Sequence, residues 1–274
     1  MIFKYFRATQ IQLAAIAFIT TVFSPNVVAQ AGIFEVVHPD VEKGEVEIEI
    51  LNGFSTDSVE DGEESSVHEI AVGYGFTDSF KFTVAAEIAN PEGDSAELEA
   101  FELEALYLLP GFSGHGHDDE HDDDHDDEGE HDDDEKESVL TLGLFAALEA
   151  PREDGIEEGA IEFGPVFEYP LGSLEWVGNL LLEVPFGEGE AGLVYATQLI
   201  LPVNDRIGIG LESFGEFEGV FEGESEESII FGPAVYFGGT LGNGHVIEPR
   251  VALLFGLNDE APDSVLSLNI EYKF

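Results

Sequence analysis

Apolar and polar side chains alternate with a period of two from about residue 45 to the end of the chain, and helical spacing is scarce. In Glu45-Val46-Glu47-Ile48-Glu49-Ile50 the carboxylates point one way and the β-branched side chains the other. Phe80, Phe82, Val84, Ala86 and Ile88 line one face of a later run, with Lys81, Thr83 and Glu87 opposite. Ile161 to Tyr169 and Leu266 to Phe274 repeat the pattern. Twelve such segments are expected, at about 45–54, 66–76, 80–90, 96–109, 138–149, 159–169, 174–185, 191–203, 207–217, 227–238, 245–257 and 264–274. Strands of soluble proteins usually run ~5–6 residues, whereas a tilted strand crossing a bilayer needs ~9–11. These are long strands, wet on one face.

The connectors alternate in character. Thr77-Asp78-Ser79, Leu171-Gly172-Ser173 and Asn204-Asp205-Arg206 are tight turns, while Ser55 to Ser65 and Glu216 to Glu226 are longer and acidic. In lipid every backbone N–H and C=O must pair internally, so strands span only as a closed barrel. An even strand count, short turns on one side and longer loops on the other predict an all-β fold, a transmembrane antiparallel β-barrel of about 12 strands. The competing reading is a secreted β-sandwich. The last strand ends on Tyr272-Lys273-Phe274, like the C-terminal recognition signal of bacterial outer-membrane barrels, which makes the barrel-assembly machinery and membrane lipid expected partners.

Under this register the inward positions include Glu47, Glu49, Glu69, Glu87, Glu102, Glu104, Glu162, Glu168, Glu175, Glu183, Glu212, Glu248 and Glu271, against Lys81, Arg250 and Lys273. Such a lining repels anions and concentrates cations. It equally solvates a lumen filled by side chains, and twelve strands leave less room than the 16–18 of general porins.

Several motifs carry a resemblance. Val41-Glu42-Lys43-Gly44-Glu45 leads into the first strand, Gly73-Tyr74-Gly75-Phe76-Thr77-Asp78 closes the second, and Gly164-Pro165-Val166 and Gly232-Pro233-Ala234-Val235 recur in the second half. Together they resemble outer-membrane proteins of the MetA-pathway phenol-degradation family. The resemblance implies a bacterial outer-membrane barrel that moves small or hydrophobic compounds, and it brings no catalytic residues.

Residues 1–31 read as a secretory signal peptide: Lys4 and Arg7, an apolar stretch from Ile11 to Phe23, then Val27-Val28-Ala29 and Ala29-Gln30-Ala31 as cleavage exits. The apolar stretch is shorter than the ~20 residues a spanning helix needs. Residues 32–274 would then be the barrel, exported through the Sec pathway. The chain has no Cys, which removes disulfides, thiolate metal sites and cysteine nucleophiles. With 9 Lys+Arg against 59 Asp+Glu, nucleic acid is not an expected partner. No nucleophile elbow, HExxH or P-loop is present, and His38, His68 and His245 have no serine partner motif, so no enzyme is expected.

One insertion, 110–137, breaks the pattern. It holds five of the eight histidines, and between Asp118 and Glu137 the formal charge is −14. His115, His117, Asp118, Asp119, His121, Asp122, His125, Asp126, His131 and Asp132 are candidate metal ligands, because imidazole with carboxylate suits borderline divalent ions such as Zn, Ni or Co. Their interchangeable spacing on a long acidic loop points to weak, multi-ion binding, with no cofactor required. The alternative is a solvated, disordered charge run. Strand parity puts this loop on the side of the tight turns, the periplasmic side if the N-terminus is periplasmic. The expected function is passive transport or binding of small solutes or divalent cations. Uptake of small aromatic compounds, or a structural barrel without transport, are the alternatives.

Overall fold

The computed structural model describes residues 34–55, 64–91, 96–112, 140–152, 159–187, 189–221, 227–258 and 260–274. The expected signal peptide and the histidine loop ligands, 115–132, lie outside these residues. Twelve long strands form one antiparallel meander: β1 (Val46–Ser55), β2 (Glu64–Thr77), β3 (Phe80–Pro91), β4 (Glu97–Leu108), β5 (Thr141–Pro151), β6 (Ala160–Leu171), β7 (Leu174–Pro185), β8 (Gly192–Asn204), β9 (Ile207–Phe217), β10 (Glu227–Phe237), β12 (Val246–Gly256) and β13 (Ser264–Lys273). A two-residue strand, β11 (Gly239–Thr240), pairs with the start of β12. Observed and expected boundaries agree to within about three residues.

Each long strand pairs with its neighbours in the chain, β1 pairs with β13, and β10 pairs with β12, so the sheet closes on itself. Closure leaves none of the twelve long strands as an edge, and each backbone ladder has a partner on both sides. Val46 and Phe274 exchange backbone hydrogen bonds of 2.9 and 3.0 Å where the chain ends meet. The turns at Asp78-Ser79, Gly172-Ser173 and Asp205-Arg206 share one rim with Phe274. The chain leaves for the histidine loop from this turn rim as well: Leu108 N–H donates to Ser79 O at 2.8 Å, and Leu142 N–H to Phe112 O at 3.1 Å.

The alternation read from the sequence sorts the two faces correctly. Ile70, Val72, Val84, Leu103, Leu144, Leu180, Ile209, Leu211 and Leu253 are exposed on the outer wall. Aromatics flank this aliphatic band. Near the turn rim stand Tyr74, Phe76, Tyr107, Trp176, Phe237 and Phe274, and toward the other rim Phe101, Phe163 and Phe255. An aliphatic belt between aromatic girdles is the exterior a bilayer solvates. Among the described residues there is no helix.

One segment departs from the expected layout. Residues 34–44, of which Val41 to Gly44 are expected only to lead into the first strand, fold back into the barrel. Val36 is buried with Val177, Ala196, Phe214, Ile230, Ala234, Ala252, Leu254 and Val265, all on the lumenal face. Val41 is buried with Leu106, Leu108, Phe145, Ala147, Val166 and Leu181, with Val37 against the same group. The interior is therefore part acidic and part apolar, and burying each valine contributes about 1.5–3 kcal/mol.

Candidate functional site

The lumen and the segment inserted in it form the candidate site. At the turn rim, Gly44 N–H donates to Gly75 O at 2.7 Å and Gly75 N–H to Glu45 O at 3.0 Å, which fixes where the segment turns inward. Lys273 Nζ reaches Asp40 Oδ2 at 3.2 Å. Deeper in, Asn179 on β7 acts as a surrogate strand: its Oδ1 accepts from Val37 N–H at 2.8 Å and its Nδ2 donates to Val37 O at 2.8 Å. The deepest described contact is at Phe34, whose carbonyl accepts from Arg250 Nη1 at 3.1 Å and whose ring lies 5.3 Å from that of Phe214. A short segment without its own secondary structure thus has its polar groups held by side chains from three separate strands.

The segment divides the interior. On the turn side lies a cavity of about 980 Å³ that includes Glu47, Glu49, Glu168, Glu175, Glu248 and Glu271 in its lining. The same lining contains Lys81, Arg206, Arg250 and Lys273. On the opposite side is a smaller vestibule of about 310 Å³. Its lining holds eight carboxylates, Glu35, Glu69, Glu87, Glu102, Glu104, Glu149, Glu162 and Glu216, and no lysine or arginine. The charge of the lumen is therefore polarised along its axis. Every inward cation foreseen from the sequence sits on the turn side, and each is paired. Lys81 meets Glu47 at 2.9 Å, Arg250 meets Glu212 at 2.8 Å, and Lys273 meets Glu271 at 2.6 Å.

Register sharpens the asymmetry. Glu69 lies directly opposite Glu87, Glu102 opposite Glu149, and Glu162 opposite Glu183. Like charges placed directly across a ladder repel. A wall that carries three such pairs without a local cation lowers the potential of the vestibule and draws cations into it.

The three described histidines have different surroundings. His68 points outward and shares a 2.9 Å hydrogen bond with Asn52, beside the ring of Phe54. His245 stacks on Phe274 at the turn rim. His38 belongs to the inserted segment, bonded to Gln198 through Nε2, with Nδ1 4.0 Å from Glu168 Oε2. Enclosure in the lumen, helped by nearby Lys273, pushes its pKa down to about 4, so the ring is neutral at ordinary pH. Sequence reading missed His38 and the valines beside it. The run Phe34-Glu35-Val36-Val37 is locally apolar, but nothing in its spacing distinguishes an inserted segment from the approach to a strand.

No protein-family model matches the chain, and no curated protein matches its sequence. Solved structures do. An outer-membrane channel from Pseudomonas putida F1 superposes with a TM-score of 0.54 at 12% identity, covering 87% of this chain and 99% of that one. The KdgM porin, in complex with disordered oligogalacturonate, superposes with a TM-score of 0.50 at 8% identity, covering 83% and 98%. At these identities the likeness is one of fold.

Proposed function

We propose that the protein is a bacterial outer-membrane channel for passive movement of small solutes, that it favours cations, and that the inserted segment narrows it. The observation that carries this reading is the vestibule lined by eight carboxylates without a lysine or arginine. The apolar outer wall, the closed ladder and the fold shared with outer-membrane channels support the location. With the turn rim facing the periplasm, as short turns do in such barrels, the acidic vestibule opens to the outside. Solutes then meet the strongest negative potential first. A polyanion such as the oligogalacturonate bound by KdgM does not suit that vestibule, so its ligand does not carry over. In this orientation the chain enters and leaves the histidine loop at the periplasmic rim, and its imidazoles and carboxylates would collect divalent ions weakly. The resemblance to the phenol-degradation family supports a second reading, passage of small aromatic compounds, for which the apolar lumenal patch under Val36 would be the contact surface.

Reconstitution in planar bilayers under a salt gradient tests the channel. The expected reversal potential is that of a cation-selective pore. Glu69→Gln, Glu87→Gln and Glu102→Gln together should move it most of the way toward zero. A silent barrel, or one selective for anions, would sink the reading.

A further inference from the structure

Two lumenal carboxylates stand apart from the ion pairs. Glu168 and Glu175 converge on the inward face of the β6–β7 hairpin, Glu168 opposite Val177 and Glu175 opposite Pro170, beside the turn at Gly172. Among the described residues no lysine or arginine reaches either of them; Lys81, Arg250 and Lys273 are committed to other acids. The third member of the group is His38. One ligand atom from each of the three residues lies within 4.8 Å of the other two.

The contacts of the imidazole show which side faces the carboxylates: Nε2 is bonded to Gln198 and Nδ1 stands nearer Glu168. The Tyr236 hydroxyl has one proton and donates it to Glu212 Oε1 at 2.7 Å. Gln198 Oε1, at 3.3 Å, is a second and longer acceptor for the same hydroxyl. A metal ion on Nδ1 requires the proton of His38 on Nε2, donated to a Gln198 amide oxygen turned toward the ring. Nδ1, 4.0 Å from Glu168 Oε2, is then the nitrogen on the carboxylate side. One imidazole nitrogen and two carboxyl groups thus converge on the same part of the lumen.

We propose that His38, Glu168 and Glu175 form a divalent-metal site that fastens the inserted segment to the barrel wall. One imidazole with two carboxylates suits a borderline ion of the zinc, cobalt and nickel class, with water completing the shell. Gln198 holds the tautomer and ring orientation, the role outer partners play at metal-bound histidines. Ligand atoms around zinc stand roughly 3–3.6 Å apart, given bonds of about 2.0–2.2 Å. The present spacing, within 4.8 Å, is wider, so binding requires the two glutamate side chains to draw in. Because one ligand comes from the segment and two from the wall, binding pins the segment in place; this consequence for conductance rests on the channel reading, whereas the site does not.

The test uses the full chain folded in detergent, both unmodified and with the five histidines at 115, 117, 121, 125 and 131 changed to Asn. Each is titrated with Co2+ and followed by visible absorption. The loop-substituted barrel should keep about one Co2+ equivalent. In that background His38→Ala, or Glu168→Gln with Glu175→Gln, should weaken it by at least about tenfold, with the heat-modifiable gel mobility of a folded barrel retained. No Co2+ binding by the loop-substituted barrel, or binding indifferent to His38→Ala, would overturn the site. In bilayers, Zn2+ should lower the conductance of the loop-substituted barrel and leave that of its His38→Ala derivative unchanged. A barrel that is silent in bilayers yet loses its Co2+ with His38 would defeat the channel reading and uphold the site.

Discussion

Arg250 joins the wall, the inserted segment and a carboxylate with no exposure. Glu212 is fully buried, and its Oε1 accepts from Tyr236 and pairs with Arg250 Nε at 2.8 Å. The same guanidinium donates Nη1 to Phe34 O at 3.1 Å and Nη2 to Ser267 Oγ at 2.9 Å. Arg250→Met leaves a buried carboxylate without its counter-charge, which costs about 3–5 kcal/mol. Adding Glu212→Gln removes the stranded charge and should recover much of that loss. Urea unfolding of the barrel in lipid checks this; a double variant that loses the sum of the two single losses would show that the pair is not coupled. Both residues were legible as inward from the alternation alone. Their pairing was not, because period two assigns a face and says nothing of which strands meet across the lumen. β9 and β12 are separated by β10 in the sheet, and only the closed ring brings their side chains together. His38 was illegible for a different reason: it lies on a segment with no periodicity, held by side chains distant in sequence.

At the scale of the strand, the repeated Gly-Pro pairs do one physical job twice. The β6–β7 ladder steps from Phe163 opposite Leu182 to Val166 opposite Asn179, and the β10–β12 ladder from Phe231 opposite Phe255 to Ala234 opposite Ala252. Pro165 and Pro233 lack the N–H those ladders would use, and both face outward. The preceding glycine lets the strand lean onto its neighbour. A Cβ on Gly164 would stand 2.0 Å from Leu180 O, and one on Gly232 would stand 1.9 Å from Leu253 O. Neither backbone carbonyl can swing aside as a side chain would, so Gly164→Ala and Gly232→Ala should each cost at least about 1–3 kcal/mol. The two should cost about the same, because each clash is with the backbone of the strand next along the barrel wall, and the first-to-last closure at β1–β13 is touched by neither. Pro233→Ala, which only restores a donor, should fold normally. The fraction reaching the heat-modifiable folded form during refolding measures all three; equal yields for Gly232→Ala and Pro233→Ala would count against the backbone clash. The motifs were visible in the sequence as repeats. Their cause was not, since it is the backbone of another strand.

Across the whole molecule, the formal charge of −50 has to coexist with a closed ring whose register cannot slip locally. A strand in an open sheet can shift by two residues to separate like charges, but in a barrel every neighbour would have to shift with it. Five carboxylate pairs are consequently locked face to face, the three in the outer half together with Glu49 opposite Glu271 and Glu248 opposite Glu271. The last two share Lys273, which lies 2.6 Å from Glu271 and 3.7 Å from Glu248. The outer three have no protein cation in the vestibule. Each uncompensated pair costs about 0.2–1 kcal/mol, and solution ions reduce that cost where water enters the lumen. Barrel stability should therefore rise with ionic strength, most steeply at low salt where the screening length approaches ~30 Å. Mg2+ or Ca2+ should act at lower concentration than Na+, because one divalent ion can bridge a pair. Replacing Glu69, Glu102 and Glu162 by Gln breaks all three outer pairs and should flatten the salt dependence while raising the melting temperature at low salt. Thermal unfolding of both proteins across a salt series is the measurement. A wild-type melting temperature indifferent to salt would mean that these carboxylates do not repel one another in the folded barrel, and the vestibule would lose the field on which its cation preference depends.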